Sequence, residues 1–122
     1  GGQARATTLV GQVTKTTPAG RNPEYAGYPI HAAEMVAKCD GAAFVARASI
    51  CSPASIKKTK EILRKAFEMQ IKGIGYSFVE ILAACPTNWG MNAVDSMKHI
   101  KDDIERVHPV GIFKDITLTE VR

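Results

Sequence analysis

The hydrophobic pattern along the chain changes period several times, and each change predicts an element. Residues 1–29 show neither helical nor strand periodicity over a useful length. Val10 and Val13 are candidates for short extended pieces, while Pro18-Ala19-Gly20 and Asn22-Pro23 are turn signals. A stretch this long without elements is unusual inside a compact domain, so it reads as a functional loop or as a segment whose packing partner lies elsewhere. Residues 30–38 then read as a short helix, stopped by Asp40-Gly41. The apolar run over 42–49, centred on Phe44 and Val45, predicts a buried strand.

Ser52 followed by Pro53 is a helix start, because the hydroxyl caps the first turn and proline lacks only an N–H that would be unpaired there. The helix is expected to run to about Lys72, with Ile56, Leu63, Ala66, Phe67 and Ile71 on its apolar face, and to be released by Gly73 and Gly75. Residues 76–82 (Tyr-Ser-Phe-Val-Glu-Ile-Leu) predict a second strand. A loop over 83–91 follows, then a third helix opened by Asn92 and running to about Val107, with Val94, Met97, Ile100 and Ile104 on its apolar side. Residues 109–122 read as a tail in which Ile112, Phe113, Ile116 and Leu118 are available to pack.

Two strands joined by a helix of this length should run parallel through a right-handed crossover. Such sheets want helices on both faces and more than two strands. The expectation is therefore an α/β fold with parallel strands and flanking helices, amounting to half of a domain or to a small one completed by a partner. Ligands of open parallel sheets sit beyond the carboxyl ends of the strands. Here those ends are Ser49-Ile50-Cys51 and Ala83-Ala84-Cys85, so both loops bring a thiol to one edge.

Composition narrows the class. The chain has 122 residues, 45% hydrophobic and 23% charged, which suits one small globular domain. No apolar run is long enough to span a membrane, and the segment from Gly1 to Arg5 leads no signal-type apolar region. Without an initiator Met, the start reads as a processing point, a cloning boundary or the edge of a fragment. The net charge is +4, much of it between Lys57 and Lys72. No aromatic residues interleave there to stack on bases, so a solvated helix face is preferred to a nucleic-acid surface. Three cysteines, Cys39, Cys51 and Cys85, form no Cys-x-x-Cys pair; an odd count argues against a disulfide framework and for a reducing cytoplasm. Cys39 and Cys51 read as small hydrophobes, and a single thiol such as Cys85 cannot hold a metal or cluster alone. His31, His99 and His108 read as structural or surface groups. The glycines at the start could let backbone N–H groups approach an anion, but the usual phosphate-loop patterns are absent.

Several short motifs, in order, resemble one family. Gly1-Gly2-Gln3, Thr7-Thr8, Gly11-Gln12, Thr16-Thr17-Pro18-Ala19-Gly20-Arg21 and Gly27-Tyr28-Pro29 resemble the loop that follows the thiamine-diphosphate motif in the β-subunits of 2-oxoacid:ferredoxin oxidoreductases. Ala46-Arg47-Ala48, Lys65-Ala66-Phe67, the segment from Gly75 to Glu80, Cys85-Pro86-Thr87-Asn88-Trp89-Gly90 and the segment from Val110 to Asp115 continue the match over nearly the whole chain. The Asn-Trp-Gly step looks most like the branch acting on 2-oxoglutarate or branched-chain 2-oxoacids such as 2-ketoisovalerate.

The resemblance implies a partial thiamine-diphosphate-binding fold, with residues 1–29 as a cofactor-proximal loop, 30–108 as the α/β core and 109–122 as the tail. It implies oxidative decarboxylation of a 2-oxoacid on thiamine diphosphate and Mg2+, transfer of the acyl group to coenzyme A, and electrons passed through four-iron iron-sulfur clusters to ferredoxin. It places Gly1, Gly2 and Gln3 beside the diphosphate and makes Cys85 similar to the family's last cluster cysteine. Arg5 and Ala6 depart from the family pattern. The family's Gly-Asp-Gly aspartate, its later magnesium-binding asparagine and its Cys-x-x-Cys all precede Gly-Gly-Gln and do not occur here. Magnesium needs several oxygens placed together, and a cluster takes four ligands. The isolated chain is therefore expected to hold neither cofactor and to be inactive. Its expected partners are the remaining half of the β-subunit, the other oxidoreductase subunits and ferredoxin, in an oligomer, with no nucleic acid and no membrane. The alternatives are an interaction module that kept the fold without the chemistry, and a basic anion-binding domain.

Overall fold

The computed structural model describes residues 5–118. Its centre is β1 (Ala42–Ser49), whose eight residues are all buried. β2 (Tyr76–Leu82) pairs with it in parallel, and β3 (Gly111–Asp115) pairs antiparallel on its other side, giving the order β2-β1-β3. The expected α/β architecture and the parallel pair are present. The addition is β3, inside the stretch read as a tail: alternation over five residues is short for a strand signal, and its pairing comes from the neighbour it meets. Both outer strands are edges among the described residues. β2 is only partly covered, as a strand is when its outer side is left open.

Among the described residues, five short helices, α1 (Pro23–Ala26), α2 (Ala32–Ala37), α4 (Pro86–Trp89), α5 (Ala93–His99) and α6 (Glu105–Val107), and one long one, α3 (Pro53–Ile71), surround the sheet. A π-helical turn, Ile100–Ile104, joins α5 to α6. α1 and α4 arise where the sequence reads as loop; in each a proline sits in the first turn, and Asn22 caps α1 through the N–H of Glu24. α3 covers one face of β1: Phe44, Ala46 and Ala48 pack on Ile62, Ala66 and Met69. α2 covers the other, where Ala42 and Val45 meet Ala33, Val36, Phe78 and Phe113. A third cluster, Leu82 with Ile100 and Ile104, joins the end of β2 to the π-turn.

The start of α3 matches its sequence signal. Ser52 Oγ accepts from Ser55 N, and Ser55 Oγ accepts from Ser52 N, a reciprocal cap of two otherwise unpaired donors. The buried face of α3 differs from the expected one. It is Thr59, Ile62, Ala66 and Met69; of the five residues read as its face only Ala66 is buried, while Phe67 is 66% and Ile71 83% exposed. The helix carries two adjacent apolar stripes, and the buried one includes Thr59, whose Oγ1 lies 2.8 Å from both Ser49 O at the end of β1 and Ser55 O one turn back. In the third predicted helix, Ile100 and Ile104 are buried as expected, but Val94 is exposed.

Candidate functional site

The carboxyl ends of β1 and β2 open onto two separate cavities. The larger, about 340 Å3, lies past β2 and is lined by Glu80, Leu82, Cys85, Asn88, Trp89 and Ile104, and by Arg5, Thr7, Thr8 and Gln12 from the N-terminal segment. The other, about 300 Å3, lies past β1 between α3, β3 and the π-turn, and holds Cys51, Ser55, Lys58, Lys101 and Glu105. The two thiols brought to one edge by the strand order thus line different cavities.

The N-terminal segment forms the wall of the first cavity because a buried arginine gathers it. Arg21 Nε donates to Gly27 O at 2.8 Å, Nη1 to the carbonyls of Arg5 and Thr8, and Nη2 to those of Ala26 and Tyr28 at 2.9 and 3.2 Å. Five carbonyls converge on one guanidinium, so a stretch with little regular structure satisfies its backbone on a side chain. Gly20 is required beside it. Its φ is +79°, and a Cβ there would sit 2.9 Å from Gly11 O. The segment is then tied to the core: Ile30 N donates to Ala6 O, Lys15 N to Asn88 O, and His108 Nε2 to Thr7 O at 3.3 Å. The partner that sequence reasoning left open for residues 5–29 is largely the segment itself, with α4 and His108.

Behind the cavity sits a charged network. Arg47, fully buried on β1, donates to both oxygens of Glu34 on α2, to Glu80 Oε2 at 2.8 Å and to Pro109 O at 3.1 Å, and its guanidinium lies 5.2 Å from the Phe113 ring centre. Glu80 is the register partner of Arg47 across the parallel pair and also lines the cavity. Hydrogen bonding from Arg47 holds the Glu34 carboxyl at about 2, against an ordinary 4.5. Burial opposes the charge on Arg47, but the two carboxylates outweigh it and raise its pKa. Burial, with the charges of Arg47 and His31, pushes the His108 pKa down. The sequence reading took Ala46-Arg47-Ala48 only as a motif and left its role open. An arginine amid the apolar run of β1 was the available signal, since such a residue is buried only with partners.

Cys85 stands exposed at the start of α4, where its carbonyl accepts from Trp89 N. Trp89 packs edge-on to His99 at 5.1 Å, and Asp103 holds the other side of that ring. Cys51 is half-buried and donates to Glu105 Oε1 at 3.4 Å; Cys39 is exposed and lies away from both cavities. Gly1, Gly2 and Gln3 lie outside the described residues. Among the described residues no three His, Cys, Asp or Glu side chains converge in a way that could hold a metal ion. A lone exposed thiol could supply at most one of the four ligands that a cluster takes. No described helix is long and apolar enough to cross a membrane.

No family profile matches the chain, and no solved structure matches it. Curated proteins do. The ketoisovalerate oxidoreductase subunit VorA of Methanothermobacter marburgensis is 44% identical over 115 residues, which cover 94% of this chain and 24% of that subunit. The same subunit of Methanothermobacter thermautotrophicus is 42% identical over the same share. The 2-oxoglutarate synthase subunit KorB of Archaeoglobus fulgidus is 33% identical over 98% of this chain and 44% of the subunit. The chain thus spans about a quarter of two of these relatives and under half of the third. The two substrates in these names are those of the branch that Asn88-Trp89-Gly90 resembles. Over the stretch it matches, the chain is similar to subunits of 2-oxoacid oxidoreductases.

Proposed function

We propose that the chain is part of an enzyme that oxidatively decarboxylates a 2-oxoacid to an acyl-coenzyme A and passes the electrons to ferredoxin, and that it is inactive alone. The observation that carries the reading is the first cavity. It brings Cys85 and the N-terminal segment, which lie far apart in sequence, to one place beyond the sheet edge. Thiamine diphosphate, when bound, supplies the carbanion stabilisation that decarboxylation of a 2-oxoacid needs.

The chain's own residues have narrower roles. Gly1, Gly2 and Gln3 would approach the diphosphate, with Mg2+ held by oxygens from outside this chain. Arg5 at the cavity wall suits an anionic group, and Thr7, Thr8 and Asn88 offer neutral polar contacts. Trp89 and Ile104 limit water there. Cys85 would supply one thiolate to a four-iron cluster whose other ligands come from elsewhere. The buried Arg47 network fixes Glu80, so the cavity wall is rigid where β2 ends. The partners are the rest of the subunit, the other oxidoreductase subunits and ferredoxin.

The test uses the whole subunit assembled with its partners. Wild type should show 2-oxoacid- and coenzyme-A-dependent reduction of ferredoxin, with 2-ketoisovalerate and 2-oxoglutarate compared as substrates. Cys85→Ser should lose the visible absorption of one cluster together with that activity, while Cys39→Ser should keep both. An intact cluster spectrum in Cys85→Ser would overturn the assignment of this thiol.

A further inference from the structure

One polar chain at the cavity rim is determined atom by atom. The backbone N–H of Leu9 donates to Gln12 Oε1 at 2.9 Å. A main-chain N–H can only donate, so the Gln12 amide has one allowed orientation: oxygen toward Leu9, NH2 away from it. That NH2 meets His99 Nε2 at 3.2 Å. An amide NH2 also only donates, so Nε2 must present its lone pair. The ring proton then belongs on Nδ1, and Nδ1 faces Asp103 Oδ2 at 2.8 Å, where a carboxylate accepts it. Two constraints from opposite sides of the ring select the same tautomer.

The consequence reaches the cavity. Gln12 and Trp89 both line it, and Trp89 rests against the same imidazole. Gln12 also anchors a turn: its N–H donates to Leu9 O at 3.0 Å and its carbonyl accepts from Arg21 N at 3.2 Å. Asp103 belongs to the π-turn, and its chain neighbour Ile104 lines the cavity too. We infer that His99, oriented by Asp103 as the Nδ1–H tautomer, is a positioning residue that pins Gln12, and with it the Leu9–Gln12 turn, at the rim of the cavity. This deepens the proposed function by naming what holds the cofactor-proximal segment in place. It touches no reacting atom. The spacing of His99 and Asp103, four apart on one helical stretch, was visible in the sequence, but Gln12 lies 87 residues away and only the fold brings it there.

The experiment needs no cofactor, so its failure is separable from failure of the enzymatic reading. Nitrogen-15 spectra of the full chain, labelled at histidine and assigned with the variants below, should show His99 protonated at Nδ1 and unprotonated at Nε2. Amide exchange of Leu9, Gly11 and Gln12 is the second readout. His99→Gln places an acceptor oxygen near the position of Nε2 and should keep their protection. His99→Asn reaches only the position of Nδ1, and these amides should exchange about five- to tenfold faster, the worth of one neutral hydrogen bond. A proton on Nε2 in the wild type, or equal loosening in the two variants, would overturn the inference. Should His99→Asn not fold, the wild-type spectrum still decides.

Discussion

Glu34 and Arg47 meet through two parallel hydrogen bonds, Nη1 to Oε1 at 2.8 Å and Nη2 to Oε2 at 2.6 Å. The pair joins α2 to β1, and the Nε bond to Glu80 extends it to β2. Arg47 is thus a cross-link among three elements. Arg47→Met would leave two carboxylates beside a buried apolar strand with nothing to neutralise them. A loss of about 3–5 kcal/mol is expected by urea denaturation at neutral pH, the usual consequence of removing one partner of a buried pair. Arg47→Lys should recover only part of it, because an ammonium cannot bridge both oxygens of Glu34 and reach Glu80 as well.

The same pair sets the acid limit of stability. The folded pKa of Glu34 is depressed to about 2, so the unfolded state binds protons first as pH falls. Its contribution is complete above about 4.5 and is lost as pH drops toward 2. Asp115, hydrogen-bonded by Lys65 and Thr117, and Glu105, hydrogen-bonded by Lys101, are also lowered despite their burial and act with the same sign. His108 adds an earlier step: its folded pKa lies below 6.5, so stability begins to fall as pH drops through that value. Denaturation midpoints across pH 2–7 should therefore decline in two stages. Glu34→Gln should shrink the lower stage, leaving the part due to Asp115 and Glu105, and keep the upper one in place.

Arg21 tests the N-terminal segment by itself. No carboxylate pairs with it in the hydrogen bonds seen; all its donors go to carbonyls. Arg21→Lys keeps the charge but cannot satisfy five acceptors spread around a planar fork. The expected effect is faster amide exchange at Gly11, Gln12 and Ile30, with β1 amides unchanged. Gly20→Ala should do the same by a different route, forcing a Cβ against Gly11 O at a positive φ. If either variant loosened β1 as much as the loop, the segment would be part of the global fold rather than a locally stabilised wall.

How much of this was legible in the sequence follows the range of the forces involved. β1 and β2 emerge with their observed limits because continuous apolar runs bounded by glycine and serine signals are local information. The Ser52-Pro53 start of α3 is local too. β3 was missed as a strand because its pairing partner is more than sixty residues away and its own pattern is five residues long. The Cys85 cavity was half legible: strand order placed the thiol at the correct edge, but its separation from Cys51 depends on the π-turn, whose side chains contribute to both walls. Arg21 is legible only as part of a motif, since nothing in the sequence reports that five carbonyls will fold around it.

The two stripes of α3 give the sharpest test of what burial, rather than periodicity, decides. Ile62 and Ile71 are the same residue type on the same helix, one 7% and the other 83% exposed. Ile62 packs on Ala46 and Ala48 beside Met69 within the core cluster, and truncation there leaves a void between helix and sheet. Ile62→Ala is expected to cost about 2–4 kcal/mol, the transfer and cavity terms together. Ile71→Ala should change stability by less than about 0.5 kcal/mol, as exposed positions do. Thr59 adds a third comparison. Thr59→Val keeps the volume but removes the hydroxyl that lies 2.8 Å from both Ser49 O and Ser55 O; about 1–3 kcal/mol should be lost. Urea midpoints for the three variants decide the matter. Equal losses at Ile62 and Ile71 would mean that the outer stripe of α3 is covered when the chain is in solution, and that its buried face is wider than Thr59, Ile62, Ala66 and Met69.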